Sequence, residues 1–363
     1  MSSQTGKRIT VSVFGESHGP AIGAVIDSPP AGINVDMDYI ASQLKRRAPG
    51  NSPTATKRKE ADMPEFLSGI KNGITTGAPL AAIIRNTNTK SEDYSNLKLM
   101  PRPSHADYAA FVHYNGFNDI SGGGHFSGRL TAPLVAGGSV LRLYLKNKGI
   151  NIAGHILQIG KINDQSFDPI SFDSSLADRL SASAFSLIDE SVKSAMEKEI
   201  LSAAEKGDSV GGVVEIMVSG LPAGLGGPMF DGAENIISSA VFGVPAVKGI
   251  EFGEGFKFAE MHGSEANDAM VYDEEKNIRC VTNHCGGITG GITNSMPIVF
   301  RAAIKPTPSI SLPQQTVDLE KKANTEITIH GRHDPCIVPR ALPAIEAVTA
   351  IAVANLLGEV CPL

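Results

Sequence analysis

"RITVSVFGESHGPAIGAVIDSPPAG", residues 8–32, contains a Gly-x-Ser-x-Gly pattern from Gly15 to Gly19, and the reading of that pattern sets the fold. As a nucleophile elbow it would put a hydrolytic serine on an α/β sheet. The flanking segments "RITVSVF" (8–14) and "AIGAVID" (21–27) are short and β-branched, bounded by "GESHGP" and "SPPAG". They read instead as two strands joined by a turn. An elbow also needs a substantial helix after the serine and an oxyanion loop from an earlier strand. Here the following segment ends at Pro29 and Pro30, and little sequence precedes the motif. Neighbouring side chains of an extended segment point to opposite sides, so Ser17 and His18 are expected to be poorly placed to act on each other as nucleophile and base. From a curved loop both could still face a ligand.

With 363 residues, 42% of them hydrophobic, the chain can bury a large core. The net charge of −6 comes from acidic and basic residues mixed through most of the sequence. That argues against general affinity for nucleic acid or an anionic membrane, so any anion site must be local. Cys280, Cys285, Cys336 and Cys361 match no paired zinc spacing and are expected to be reduced thiols in a cytoplasmic protein. Glu16, Ser17 and His18 interrupt the N-terminal apolar stretch too soon for a signal peptide. No segment is expected to be long and apolar enough to span a bilayer: the best candidate, "AIEAVTAIAVANLLGEV" near the C-terminus, holds Glu346 and Glu359 and reads as a core helix.

Met37, Ile40 and Leu44 share a stripe at helical spacing, with Asp36 at the start and Lys45, Arg46 and Arg47 in the last turn. Such basic residues complement a helix dipole. Together with Lys57, Arg58 and Lys59 they also form a basic patch suited to a small polyanion, beside the long polar stretches 48–62 and 86–108. Beyond residue 130 helices and strands alternate without a Pro/Ser-rich linker, so residues 1–363 are read as one catalytic unit. A faint internal likeness links 122–145 with 331–357, each running from a glycine-bearing loop with an arginine into a helix.

"SGGGHFSGRLTAP" (121–133) lacks the Gly-Lys-Ser/Thr ending of a Walker loop. Its glycines permit close backbone approach to a ligand, Thr131 and Pro133 suit a helix start, and Ser127 and Arg129 add donors. "GRHDPC" (331–336) sets Arg332, His333 and Asp334 before a second helix, where Asp334 also reads as a cap. "RPSHADY" (102–108) places Arg102 and His105 in a loop near an aspartate, and a loop histidine suits proton transfer. Lys305, Thr307 and Ser309 of "IKPTPS" could hold a phosphate or simply end a strand, and "NHCGGITGG" (283–291) is another glycine-rich loop. The sum is a pocket that binds several phosphates or carboxylates and moves protons.

In order and spacing, "FGESHGPAIGAVIDSPPAG", "GGGHFSGRLTAP" and "GRHDPC" resemble the three signature segments of the chorismate synthase family. "LKRRAPG", "RPSHADY", "GVPAVKGIEFG", "NHCGGITGGI" and "KPTPS" resemble the stretches between them, so the likeness covers nearly the whole chain. The resemblance implies an anti-1,4-elimination that turns 5-enolpyruvylshikimate 3-phosphate into chorismate and phosphate, requiring reduced FMN without net redox change. It implies that Ser17 hydrogen-bonds the substrate and His18 donates a proton near the departing phosphate. His105 would adjust protonation at the reduced flavin, and Asp334 would relay a proton from flavin N5. Arg47, Arg102, Ser127, Arg129 and Arg332 would grip the substrate. His125, Phe126, Ala246, Gly290, Lys305, Thr307 and Ser309, together with Ser127 and Arg332, would line the FMN site. A carboxylate at a helix start is held ionised by the dipole, which suits Asp334 as a base.

The fold so implied is α+β, a β–α–β sandwich with internal pseudo-symmetry and helices packed between antiparallel sheets, assembled as a homotetramer. Ala48 and Pro53 replace residues that are basic in many relatives, and His125 stands where some carry arginine; these departures bear on loop closure and on nicotinamide contact. No inserted reductase-like segment is visible, so an external flavin reductase is expected, with NADPH acting only indirectly as reductant. Two other readings use the same loops: a different flavin enzyme acting on a phosphorylated anion, or a noncatalytic phosphometabolite-binding protein. The second leaves the coexistence of His18, His105 and Asp334 without a reason.

Overall fold

The computed structural model describes residues 3–50, 62–86, 99–329 and 334–360. Lys57, Arg58, Lys59, Pro53, Arg332 and His333 lie outside them. Thr10–Gly15 and Ala21–Asp27 are strands, paired antiparallel with Val11 opposite Ile26 and Val13 opposite Ala24. Strand alternation puts Ile22, Ala24 and Ile26 on the buried face, each at most 1% exposed. The first sheet has the order Gln4–Thr5, Thr10–Gly15, Ala21–Asp27, Leu80–Arg85, Glu65–Ser68. The second has the order Val247–Phe252, Ile298–Ile304, Gly212–Ser219, Asn151–Ile159, Ile162–Asn163. Read from Thr10–Gly15 and from Asn151–Ile159, the four main strands follow the same path: the first two are neighbours, the fourth comes next, and the third lies outermost.

Eight α-helices occur among the described residues: α1 (Met37–Arg47), α2 (Asp107–His113), α3 (Thr131–Asn147), α4 (Ser174–Ala182), α5 (Lys193–Glu205), α6 (Ala233–Phe242), α7 (Gly263–Ala266) and α8 (Val338–Val360). The N-terminal cap of α1 is Asp36, which accepts from the Tyr39 amide at 2.9 Å as its position predicted. The central layer is α3 against α8, with α1 and α6 alongside; α3 packs on the first sheet and α8 on the second. Two glycines in α3 permit this stacking. A Cβ at Gly137 would lie 2.6 Å from Ile26 Cδ1 of the first sheet, and one at Gly138 would lie 2.6 Å from Ala347 Cβ of α8. Gly154 does the same for the second sheet, where a Cβ would meet Leu342 Cδ1 at 2.9 Å.

The internal likeness is broader than the sequence reading found. Thr75 Oγ1 donates to the Pro30 carbonyl at 2.7 Å and accepts from Ile33 N at 2.9 Å. Thr293 Oγ1 makes the equivalent pair with the Pro222 carbonyl at 2.7 Å and Leu225 N at 2.9 Å. In both halves the threonine belongs to a two-strand hairpin and the proline to a Pro-Ala-Gly turn, "PAGI" at 30–33 and "PAGL" at 222–225.

The expectation that no segment reaches membrane-spanning length is corrected by α8. Val338–Gly358 is long and apolar enough by length and composition, yet nearly all of it is buried inside the molecule. It is apolar all round because helices and a sheet surround it. The core-helix reading of this segment therefore stands.

Candidate active site

The Gly-x-Ser-x-Gly segment is not extended at its centre. Gly15 has φ +94° and the chain turns from Ser17 to Pro20, so the opposed orientation expected for Ser17 and His18 does not occur. Ser17 Oγ lies 2.8 Å from His18 Nδ1, with the Gly122 carbonyl 3.2 Å from the same hydroxyl. The turn brings the two side chains together against the glycine loop. The other contacts of the serine among the described residues are the backbone groups of residues 121, 122 and 124.

Gly122, Gly123 and Gly124 all have positive φ, at +60°, +88° and +53°. A Cβ at Gly122 would fall 2.1 Å from His18 Cε1 and 2.5 Å from Ser17 Oγ. One at Gly123 would stand 3.4 Å from Cε1 and Nε2 of His105. The two histidines expected to move protons thus flank adjacent glycines, and the bare backbone between them is what lets both rings approach.

The arginines form a chain of contacts beside this loop. Asn86 donates to the carbonyls of Glu16 at 3.1 Å and Gly19 at 2.7 Å, and accepts from Arg129 Nε at 3.2 Å. Arg129 pairs with Asp62 Oδ1, while Arg47 Nη1 donates to Asp62 Oδ2 at 2.7 Å. Arg47 also donates to Thr131 Oγ1 at 3.1 Å and the Gly128 carbonyl at 3.2 Å. Arg340 Nε donates to the Arg47 carbonyl at 2.9 Å and its Nη1 holds Asp334. Contacts therefore run from the Ser17–His18 turn to Asp334 through Asn86, Arg129, Asp62, Arg47 and Arg340.

Three local readings change. The basic patch loses Arg46, which is 5% exposed and points into the core at Glu346, with Nη1 2.5 Å from Oε2; Arg142 shares that carboxylate at 3.1 Å. Thr131 is the first residue of α3 and donates to the Gly128 carbonyl at 2.7 Å; the capping oxygen is that of Ser127, which accepts from Arg129 N at 3.3 Å at the preceding short turn. Asp334 lies four residues before the first residue of α8 and does not cap it. Its charge is balanced by the Arg340 guanidinium rather than by the helix dipole.

On the other side of His105, Arg102 Nη1 donates to Ser309 Oγ at 3.2 Å, which ties "RPSHADY" to "KPTPS". Lys305 Nζ donates to the Ser104 carbonyl, and its backbone N–H to the Ala246 carbonyl at 3.0 Å. Burial and the nearby Lys248 ammonium hold the Lys305 amine below the ordinary lysine range. Ala246 itself has φ +74°. Thr307 Oγ1 is buried with no hydrogen-bond partner among the described residues. Such an orphaned hydroxyl beside a lysine and a serine fits a polar ligand atom. Phe126 packs edge-on to Tyr114 with ring centroids 6.3 Å apart.

His125 and Gly290 are less integrated. Both ring nitrogens of His125 are engaged, with Nδ1 2.8 Å from the Gly15 carbonyl and Nε2 2.6 Å from Ser3 Oγ. Gly290 turns a hairpin that packs against the start of α6, and open space lies where its Cβ would be. No described hydrogen bond joins it to the glycine loop.

Sequence reasoning named neither Asp62, Asn86 nor Arg340, and noted Asp107 only as the aspartate near His105. Asp107 had a signal in its motif; Asp62 and Asn86 had none, because their partners are distant in sequence, and Arg340 lies only six residues from Asp334 but is also anchored on the distant Arg47 carbonyl. The described cysteines are free: burial pushes the Cys336 thiol up to about 12, and burial with Asp268 pushes Cys285 up to about 11. These are poor nucleophiles and poor metal ligands at neutral pH, and no group of three metal-ligating side chains occurs among the described residues.

The chorismate synthase family model matches residues 9–357. Among curated relatives, the chorismate synthase of Methanothermobacter thermautotrophicus is 45% identical over 353 residues, covering 97% of this chain and 93% of that protein. That of Thermococcus gammatolerans is 45% identical over 351 residues, covering 96% of each. A crystal structure of chorismate synthase superposes with a TM-score of 0.75 at 27% identity, covering 98% of this chain and 93% of the other.

Proposed function

Because this chain belongs to the chorismate synthase family, with that family's lyase activity on a small-molecule substrate, we propose the following roles for its side chains. The substrate is 5-enolpyruvylshikimate 3-phosphate and the products are chorismate and phosphate. Arg47 and Arg129, already held side by side by Asp62, bind its oxyanions together with Ser127, Arg102 and Arg332. Guanidinium forks suit such groups, and burial strengthens each contact. Ser17 donates to the substrate, and His18, oriented through Nδ1 by that serine, delivers a proton to the departing phosphate.

Family membership brings a flavin, and we take it to be reduced FMN. When bound it supplies electron density transiently, with no net oxidation. The residues present fit such a group: the orphaned Thr307 hydroxyl, Lys305, Ser309, Ala246 and Phe126 offer donors and an exposed aromatic face beside His105. His125 and Gly290 belong to the same proposal with weaker support from geometry. His105 holds the proton on the flavin side of the glycine loop, and Asp334 takes up the proton released from the substrate ring.

One observation carries this assignment: His18 and His105 meet neighbouring glycines of a single loop while Asp334 is joined to the same site through Arg340 and Arg47. We further propose a cytoplasmic homotetramer served by an external flavin reductase, NADPH entering only there. The test is anaerobic, with chemically reduced FMN and 5-enolpyruvylshikimate 3-phosphate against an oxidised-FMN control. Equal release of chorismate and phosphate only with reduced flavin, and no net flavin oxidation, is the expected result. Substrate-dependent flavin oxidation would make the chain an oxidoreductase instead, and binding of both ligands without turnover would make it a binding protein.

A further inference from the structure

Asp107 is 7% exposed and opens α2, immediately after the turn that carries His105. Both its oxygens are occupied. Arg102 donates to Oδ2 from Nε at 2.7 Å and from its backbone N–H at 3.1 Å, and to Oδ1 from Nη2 at 2.8 Å. The ring of His105 meets Oδ1 through Nδ1 at 2.5 Å. Burial pushes the Asp107 carboxyl up, but the hydrogen bonds from Arg102 and His105 outweigh it and hold the group well below the usual carboxylate range.

We infer that Asp107 is the positioning residue of His105: it fixes the imidazole as the Nδ1–H form and thereby presents Nε2 over Gly123. The argument is one of lone pairs. Nδ1 stands only 2.5 Å from a carboxylate oxygen, a contact that a proton on that nitrogen makes attractive and a bare lone pair makes repulsive, so we assign the proton to Nδ1. Arg102 Nη2, which carries two N–H bonds, is 3.1 Å from the same nitrogen and 2.8 Å from Oδ1; the carboxylate contact is the shorter and goes to a charged acceptor, so it takes precedence over a bond to Nδ1. The free nitrogen is then Nε2, the atom that a Cβ on Gly123 would approach to 3.4 Å. Arg102, whose Nη1 also reaches Ser309, clamps the carboxylate so that it cannot rotate away from the ring.

The catalytic consequence rests on the function proposed above, whereas the tautomer does not. In the full-length protein, the ring nitrogens of 15N-labelled His105, assigned by their loss in His105→Gln, are followed upward in pH until their shifts stop changing. The neutral ring is expected to carry its proton on Nδ1, and an Nε2–H ring overturns the inference with no flavin or substrate needed. Asp107→Asn is expected to lower kcat by about a hundredfold, the low end for a general acid–base group, with KM little changed. The double variant Asp107→Asn/His105→Gln is expected to be no slower than His105→Gln alone. If the two losses multiply instead, Asp107 acts on something other than His105 and the inference fails. If Asp107→Asn does not fold, the wild-type tautomer alone decides.

Discussion

At Gly122 the requirement is steric and local. Alanine there would place its Cβ 2.1 Å from His18 Cε1 and 2.2 Å from Nδ1, on a backbone with φ +60°. Gly122→Ala is expected to displace the His18 ring by about an ångström and reduce turnover on the order of a hundredfold, as misplacement on that scale does. Steady-state kinetics would check it, and unchanged turnover would show that the ring has room to move. At Asp334 the requirement is charge: Asp334→Asn keeps the volume but gives up the carboxylate that Arg340 holds. Turnover should fall by about 10²- to 10⁴-fold while FMN binding, followed by fluorescence, stays largely intact. Normal turnover would remove Asp334 from proton transfer. Gly122 was legible in the sequence because a glycine run signals its own backbone needs; Asp334 was legible only through the resemblance of its motif, since the cap that its Asp-Pro step suggested does not form. Asp62 was not, since its partners Arg47 and Arg129 lie 15 and 67 residues away.

Among the elements, the second sheet carries a row of charges across its outer face. Registered pairs set Glu251 beside Arg301, Arg301 beside Glu215, and Glu215 beside His155. Arg301 Nε meets Glu215 Oε1 at 2.9 Å, and His155 lies between Glu215 and Asp164 with both ring nitrogens at 3.0 Å from carboxylates. Burial pushes the His155 pKa down, but the hydrogen bonds that its ring donates to Asp164 and Glu215 prevail and raise it, so folding favours the protonated ring. The folded value lies above that of the unfolded chain, near the ordinary 6.5 or so. This stabilisation is therefore complete below the unfolded value and is lost as pH rises through the folded one. Urea melts of wild type and His155→Gln should differ most at acid pH and converge as pH rises; a constant gap would show a neutral ring. The alternation of each strand was readable from sequence. The register that lined these charges into one row was not, because it depends on which strands pair and where the bulge between Val213 and Val214 falls.

On the scale of the whole molecule, two copies of one strand path each end in a central helix, and α3 and α8 meet at Gly138. Helix propensity alone would favour alanine at this position by about 1 kcal/mol. The added Cβ would stand 2.6 Å from Ala347 Cβ and 2.7 Å from the Ala347 carbonyl oxygen, contacts that cost about 1–3 kcal/mol in a packed core. Gly138→Ala is accordingly expected to lower Tm. A rise would mean that the two layers separate at little cost. The pseudo-symmetry was visible in sequence only as the likeness of 122–145 to 331–357. The paired threonine clasps of Thr75 and Thr293 became recognisable once the strand order aligned the halves.

By itself the sequence determined the two strands around Ser17 and His18, the glycine loop, the α+β class, the family and the short segments that carry the chemistry. The strands, the glycine loop and the mixture of helices and strands follow from side-chain periodicity and from backbone angles that only certain residues adopt, and both are local; the α+β class, the family and the chemistry-bearing segments follow from the resemblance of their motifs. Tertiary structure alone decided that Ser17 and His18 touch, that Arg46 faces Glu346 in the core while its neighbour Arg47 faces Asp62, and that Asp334 answers to Arg340. Each of those outcomes depends on how a turn, a helix face or a layer packs against chain that is remote in sequence. Only packing determines which charge stands opposite which.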